Sequence, residues 1–433
     1  MPALPQALRH RDYALLWGGQ TISVLGDGIY TVAIALEALR ISDHASTLAY
    51  VEAARVAPNA VFLVFAGALV DRLPRRLVVL GANVLRGGAI ATLAALVAAH
   101  VLGVTELVLL SAAVGVGDAF FYPAYRAIMP ELLPADLLTQ GNAFNSASQT
   151  VGLSFLGPAI GGVIVAAGGT TSAFAIDAAT FVVSALCLLV MAHVPAPAPS
   201  GRSVAADARQ GIRWTMRQRW LWYGILATGV ANFAAFAPTA VTIPLIVRDA
   251  LHQGPVAYGA TFGASGLGGL LAAAVAGRLG SPRRRMSMIW AAWAAASVAL
   301  AGVGLAPDVF VVAICGAITY FGLTYGNLLW GALMQVAVPA QMLGRASSVD
   351  WLFSICLSPL GLVCAGALAG PIGVRETVLA GAGLSALACL VVFVPGVRDP
   401  ERADYAPVPL PGEATDGPAP PARSAGTPSM PRG

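Results

Sequence analysis

The chain has 433 residues, of which 57% are apolar and 11% charged, with a mean hydropathy of +0.75. A soluble chain of this length carries about 25% charged residues, so a water-soluble enzyme is excluded and lipid is the solvent for most of the sequence. The apolar stretches run far beyond the roughly ten alternating positions of a barrel strand, which leaves membrane helices as the fold class, because backbone polar groups in lipid must be satisfied within the chain.

The charge is sparse and of one kind on the basic side. All 25 basic residues are Arg, the net charge is +4, and no basic run is interleaved with aromatics, so nothing points to nucleic acid. With no Lys there is no phosphate-binding Gly-x-x-x-x-Gly-Lys-Ser/Thr loop, which excludes ATP drive within the chain. The five cysteines (Cys187, Cys315, Cys356, Cys364, Cys389) lie in apolar stretches without a CxxC pair and read as packing residues, not as a metal or disulfide framework. No metal site and no cofactor are expected.

Turn and charge punctuation divides the chain into twelve apolar segments, near 13–38, 47–70, 77–99, 105–127, 139–167, 171–193, 220–247, 256–279, 286–306, 309–338, 344–370 and 374–394. Each reaches the ~20 residues that cross a bilayer core. The first continues past Asp27 without a small-residue cleavage pattern, so it is not a cleavable signal peptide. With the amino terminus inside, the short loops holding Arg72, Arg75 and Arg76, Arg202 to Arg219, and Arg278 to Arg285 fall on the cytoplasmic side. Only Arg40, Arg248 and Arg375 fall opposite, so both termini are expected in the cytoplasm of a cell-membrane protein. The expected organisation is an amino-terminal stretch 1–12, six helices over 13–194, a basic linker 195–219, six helices over 220–396 and a disordered tail 397–433.

Ionisable residues at membrane depth are costly and each needs a role. In helix one, Asp27 lies roughly 21 Å along the axis, near mid-depth, flanked by Gly26 and Gly28. A carboxyl there can take a proton from one side and release it to the other, or serve as a structural hydrogen-bonding group. In helix two, Glu52 and Arg55 share a helical face and form either a pair that switches partners or a static one. Arg86 in helix three, with Asn83 a turn earlier, requires a carboxylate such as Asp27 or Glu52. Asp118 in helix four is a second proton-site candidate, and Arg126 reads as a snorkelling residue near the cytoplasmic end. Asp177 and Asp350 are as readily capping or packing groups as coupling ones. Phe120, Tyr122, Phe233, Phe236, Tyr325, Trp330 and Met334 are candidates to line an apolar central cavity.

Two stretches repeat between the halves. Leu133-Pro134-Ala135-Asp136-Leu137-Leu138 matches Val338-Pro339-Ala340-Gln341-Met342-Leu343, and the segment from Gly67 to Arg76 aligns with that from Gly277 to Arg285. Parallel halves of this kind suit a transporter with two pseudo-symmetric six-helix halves.

The segment Gly67, Asp71, Arg72, Arg75 and Arg76 resembles the signature loop between helices two and three of the major facilitator superfamily, with Pro74 where the pattern has a second Gly. The stretches Phe121 to Pro134, Gly157-Pro158-Ala159-Ile160-Gly161-Gly162, Asp177 to Phe181 and Pro339 to Arg345 resemble its exporter subgroup of drug, macrolide and siderophore (enterobactin-exporter-like) efflux proteins. The resemblance implies that the signature loop, with Gly344 and Arg345, latches the cytoplasmic gate. It implies that the Gly-Pro motif of helix five seals the interior against leak, and that the protein exports an amphipathic small molecule against protons by alternating access, as a monomer and with the proton gradient as its only driving force. The Arg that many drug exporters carry early in helix four is absent, so their proton relay does not carry over. A facilitator or importer on the same fold, and a non-transporting membrane receptor or assembly partner, are the rival readings.

Overall fold

The computed structural model describes residues 5–70, 73–192, 204–280 and 282–401, and the chain is helical throughout them. Helices α1 (Arg11–Ile41), α2 (Ala45–Val70), α3 (Arg75–Ala98) and α4 (Val104–Leu132) follow one another through short turns. The run then goes through α5 (Leu138–Ser148), a π-helical stretch Gln149–Leu156, and α6 (Gly157–Val190). After α7 (Val204–Arg217) come α8 (Arg219–Ala231), α9 (Thr239–Leu245), α10 (Pro255–Leu279), α11 (Arg285–Gly304) and α12 (Val309–Ala337). The described chain ends with α13 (Ala340–Ile355), α14 (Ser358–Ala369) and α15 (Val374–Ala388). Among the described residues ten helical runs are long and apolar enough to cross a membrane; α2, which carries Glu52, Arg55 and Pro58, is not among them.

One of those ten, Ala135–Val190, has 56 residues. At 1.5 Å per residue that is about 84 Å, nearly three hydrocarbon thicknesses. The sequence expectation of two segments, 139–167 and 171–193, accounts for it. Gly169 has φ 72° and ψ 177°, a conformation a side chain disfavours, and breaks the run. Before the break Gly152, Gly157 and Gly161 meet α1 at Val24, Gly28 and Ile29 in ascending order; after it Thr170, Asp177 and Ser184 meet α1 at Glu37, Gly26 and Gly19 in descending order. The chain therefore reverses at Gly169, and α1 lies between the two legs of the hairpin.

The expected linker contains a helix. Its part 204–217 is a helix, in which Gly211, Trp214, Thr215 and then Gln218 are buried while Arg209, Arg213, Met216 and Arg217 are exposed. The buried positions recur at helical spacing and form one stripe. Gly211 lies against Arg345 of α13, close enough that a Cβ would sit 3.0 Å from that of Arg345. The tail also begins in order: Asp399–Glu401 forms a short 3₁₀ turn, and the Glu401 carboxylate accepts from Ser287 N (2.7 Å) and Oγ (3.1 Å) in the first turn of α11. That correction to a tail disordered from 397 has a simple cause: unpaired N–H groups at a helix start attract a carboxylate. The rest of the tail, 402–433, lies outside the described residues.

The two repeated Pro turns have the same geometry. Leu137 N bonds to Pro134 O at 3.0 Å and Met342 N to Pro339 O at 2.9 Å, each opening a helix. The close backbone approaches between helices before and after α7 run from mid-crossing to the end away from α7. A Cβ on Gly266 would meet Ser154 O at 2.1 Å, one on Gly259 would meet Pro158 O at 2.5 Å and one on Gly366 would meet Ala45 O at 3.1 Å. At that same end Arg248 donates to Leu39 O at 2.6 Å and lies 3.7 Å from Asp43.

Candidate functional site

Four helices converge on a buried polar cluster in the first part of the chain. Arg86 on α3 is 1% exposed and its Nη1 lies 3.1 Å from Asp118 Oδ1 on α4 and 4.0 Å from Asp27 Oδ2 on α1. Its Nη2 donates to Asn83 Oδ1 at 2.5 Å, and Asn83 Nδ2 donates in turn to Ser184 Oγ on α6 at 3.0 Å. The guanidinium also lies 4.2 Å from the Phe121 ring and 4.7 Å from the Phe181 ring. Arg55 on α2 approaches Asp118 from the other side, 3.5 Å away, with its guanidinium 5.1 Å from the Tyr30 ring. Burying two guanidiniums is offset only by this density of carboxylates, hydrogen bonds and aromatic faces.

Glycines make the convergence possible. A Cβ at Gly117 would stand 2.4 Å from Arg86 Cγ, and one at Gly115 would stand 2.0 Å from Arg55 O. Both lie on α4 beside Asp118, so the helix presents a carboxylate and no bulk to α2 and α3.

The structure thus brings together Asp27, Asp118, Arg55 and Arg86, and it supplies a pairing the sequence left open. The principal partner of Arg86 is Asp118, with Asp27 at longer range. Arg55 pairs with Asp118 and not with Glu52, which is half-buried and has no ion pair among the described residues. Sequence reasoning missed Tyr30, and it singled out Phe121 and Phe181 without their contact with Arg86, because no spacing rule ties an aromatic ring to an Arg on another helix. It also missed Glu37. That residue is fully buried near the far end of α1, paired with Arg40 at 2.6 Å and accepting from Thr170 Oγ1 at 2.6 Å. Glu37 and Arg40 stand three apart on one helix, and that spacing was the available signal.

The Gly-Pro motif serves two interfaces at once. Gly157 and Gly161 admit α1, since a Cβ on either would come within 3 Å of Gly28 Cα or Ile29 Cα. Gly162 and Pro158 face α10, with Pro158 O against Gly259 and Gly162 against Pro255 O. Small residues spaced by four permit such close helix contact.

At the α7 end, Asp71 and Arg72 lie outside the described residues, and Gly67 lies where only the backbone is described. Arg75 pairs with Glu131 and donates to Ala127 O at 2.9 Å, both in the last two turns of α4. Arg76 donates to Leu188 O (2.7 Å) and Leu189 O (2.9 Å) at the end of α6. Arg76 therefore satisfies carbonyls that a helix end leaves unpaired. Gly344 has open space beside it, and Arg345 donates to Gln210 Oε1 of α7 at 2.8 Å. Arg126 places its guanidinium 6.0 Å from the Trp351 ring of α13.

Of the cavity candidates, Phe120, Tyr122, Phe233 and Phe236 are half-buried. Tyr325, Trp330 and Met334 belong instead to a core formed with Trp220, Trp290 and Trp293, in which Trp330 Nε1 donates to Asp350 Oδ2 at 2.9 Å. Their face of α12 is directed at α8 and α11, where a Cβ on Gly224 would lie 2.8 Å from the Trp330 ring, so these three are packed among helices.

A bundle of apolar helices around a buried ion-pair cluster is the construction of a membrane transporter. The sequence profile of the transmembrane secretion effector family matches residues 5–415, and the chain belongs to that family of the major facilitator superfamily. It is similar to macrolide efflux protein A of Streptococcus pyogenes, 23% identical over 395 residues that cover 90% of this chain and 96% of that protein. It is also similar to the multidrug efflux pump Tap of Mycolicibacterium fortuitum, 28% identical over 394 residues covering 87% and 94%. In fold it resembles a bacterial homologue of the human lysosomal transporter Spinster in an inward-facing, unoccupied conformation (TM-score 0.68, 14% identity, 93% of this chain and 100% of that one). A second fold relative is a bacterial homologue of the iron transporter ferroportin in an inward-facing state (TM-score 0.68, 18% identity, 91% and 100%). The protein is a multi-pass membrane transporter with efflux pumps among its relatives, and not an enzyme.

Proposed function

We propose that the protein exports amphipathic small molecules of drug, macrolide or siderophore type from the cytoplasm in exchange for protons. The observation that carries the reading is the buried cluster of Asp27, Asp118, Arg55 and Arg86, in which carboxylates and guanidiniums stay at membrane depth with more than one partner in reach. Such a group of ion pairs can rearrange when one carboxyl takes a proton. The efflux pumps among the relatives support the outward direction and count against an importer.

The transporter is read as twelve crossings, six on each side of α7, with both termini in the cytoplasm of the cell membrane and one chain sufficient for the cycle. The reversal at Gly169, the matched Pro turns and the Arg-rich loops support that topology. The helices converge at the end away from α7, which supports a state open to the cytoplasm. Arg75 and Arg76 on the ends of α4 and α6 hold the first half of the gate, Asp71 and Arg345 its meeting point, and the Gly-Pro motif the seal between α1 and α10. Proton gradient alone drives the cycle.

The test is efflux of ethidium and erythromycin from proteoliposomes under an imposed pH gradient. Concentrative efflux that collapses with the gradient and is lost in Asp27→Asn supports the exchange. Efflux at the same rate without any gradient would mark a facilitator and sink the proton step.

A further inference from the structure

Asp177, like Glu52, is a carboxyl near the cluster that the proposed exchange leaves without a task. It lies on the second leg of α6, on the buried stripe that continues through Phe181, Ser184 and Leu188. Phe181 faces Arg86 and Ser184 holds Asn83, so Asp177 belongs to the wall that positions the cluster. Its carboxyl lies against the backbone of α1 at Gly26, where a Cβ would come 2.2 Å from Asp177 Oδ1; Asp27 is the next residue.

The surroundings are poor in donors. Asp177 is fully buried, and its Oδ2 has no hydrogen-bond partner. Oδ1 has the hydroxyl of Thr180 at 3.3 Å, but that hydroxyl also reaches Asp177 O at 2.7 Å, the better acceptor. The charged groups that act on it are Asp27 from α1, Arg86 from α3 and Arg55 from α2, and the phenol of Tyr30 on α1 also lies within its field. Neither guanidinium forms an ion pair with it: Arg86 is engaged by Asp118, Asp27 and Asn83, and Arg55 by Asp118. Two guanidinium charges are therefore matched by Asp27 and Asp118, with Glu52 also near Arg55, and a further ionised carboxylate at Asp177 would be buried without counter-charge or donors of its own, which low-dielectric surroundings penalise heavily.

We propose that Asp177 is a second proton-binding site, which rests on the exchange reading above: in the cytoplasm-open state it holds a proton and passes it to Asp27 across Gly26. The step moves one proton from the Asp177 carboxyl to the Asp27 carboxylate. Asp27 becomes neutral and releases Arg86, which keeps Asp118 and becomes free to supply the counter-charge of the new Asp177 carboxylate; the charge of the cluster as a whole is unchanged. The pair at 4.0 Å between Asp27 and Arg86 is the longer of the two Arg86 ion pairs and hence the one that yields.

The test uses the full chain in proteoliposomes and reads the infrared carbonyl stretch of protonated carboxyl groups at neutral pH. The wild type is expected to show a band from a dry, protonated carboxyl that persists in Asp27→Asn and is lost in Asp177→Asn. Persistence of the band in Asp177→Asn overturns the proposal. Because Asn at this position can impair folding, Asp177→Glu is measured beside it and is expected to restore the band at a shifted frequency. Efflux of ethidium under a pH gradient separates a proton carrier from a static buried acid. It is expected to be lost in Asp177→Asn and recovered in Asp177→Glu with a displaced pH profile, whereas wild-type efflux and profile in Asp177→Asn would overturn the coupling role. If the wild type itself shows no gradient-driven efflux, the exchange reading fails, and the band still reports whether Asp177 holds the proton.

Discussion

Arg86 shows what a single side chain is asked to do in this protein. Its guanidinium has to serve Asp118, Asp27 and Asn83 together while lying between two aromatic rings, and only a planar fork can do so. Arg86→Ala leaves Asp118 and Asp27 buried with half their counter-charge, and the expected cost is about 3–5 kcal/mol, read as a lowered unfolding midpoint in detergent. Arg86→Lys is expected to recover only part of it, because an ammonium is a point charge that cannot span the same partners. Adding Asp118→Asn to Arg86→Gln should be less harmful than the sum of the two, since the double change removes a pair and the single changes strand a charge. Strict additivity would mean that the two residues are not energetically coupled. The sequence exposed Arg86, Asp27 and Asp118 as costly residues, because any charge in an apolar run stands out. It could not say that Asp118 was the partner, since helical spacing relates residues on one helix and not across three.

At the scale of elements, glycine decides where helices touch. α10 carries both kinds of position: Gly259, where a Cβ would meet Pro158 O at 2.5 Å and Gly162 Cα at 2.9 Å, and Gly277, which has open space beside it. Gly259→Ala must push α10 away from α6, at an expected cost of about 1–3 kcal/mol. It is also expected to raise passive proton leak in vesicles, because the same contact forms the proposed seal. Gly277→Ala is the matched control and should change neither. Equal leak in the two variants would separate the Gly-Pro motif from sealing. The amphipathic α7 is a second case. Its buried stripe includes Trp214, 1% exposed, and Trp214→Ala is expected to cost about 3–5 kcal/mol. The sequence marked this stretch as a basic linker because Pro, Ala and Arg dominate its composition. The periodicity of Gly211, Trp214 and Thr215 was present but short, and only the surface of α13 makes a stripe of that length worth burying.

For the molecule as a whole, the fold was legible because lipid leaves few choices. Apolar runs near 20 residues and the Gly67 to Arg76 segment specify helices and superfamily without tertiary information, and the Arg-rich loops supply the expected orientation. The conformational state was not legible, because it depends on which helix ends meet, and the same sequence must support more than one answer. In this state the meeting is secured at the end away from α7 by Arg248, which donates to Leu39 O of α1, lies 3.7 Å from Asp43 and is braced by its own neighbour Asp249. These contacts join a helix from after α7 to the tip of one from before it, so they exist only while that end is closed. An exposed pair of this kind is worth up to about 1 kcal/mol, and its loss in Arg248→Ala is expected to shift a two-state balance by roughly five-fold toward a state open at that end. Spin labels at His44 and Gln253, on a background with the five cysteines replaced, would read that shift as a gain in the long-distance population. The shift should be larger at low salt, where a solvent-accessible pair is less screened. An unchanged distance distribution would show that glycine contacts alone hold that end, and that closure is governed by packing and not by charge.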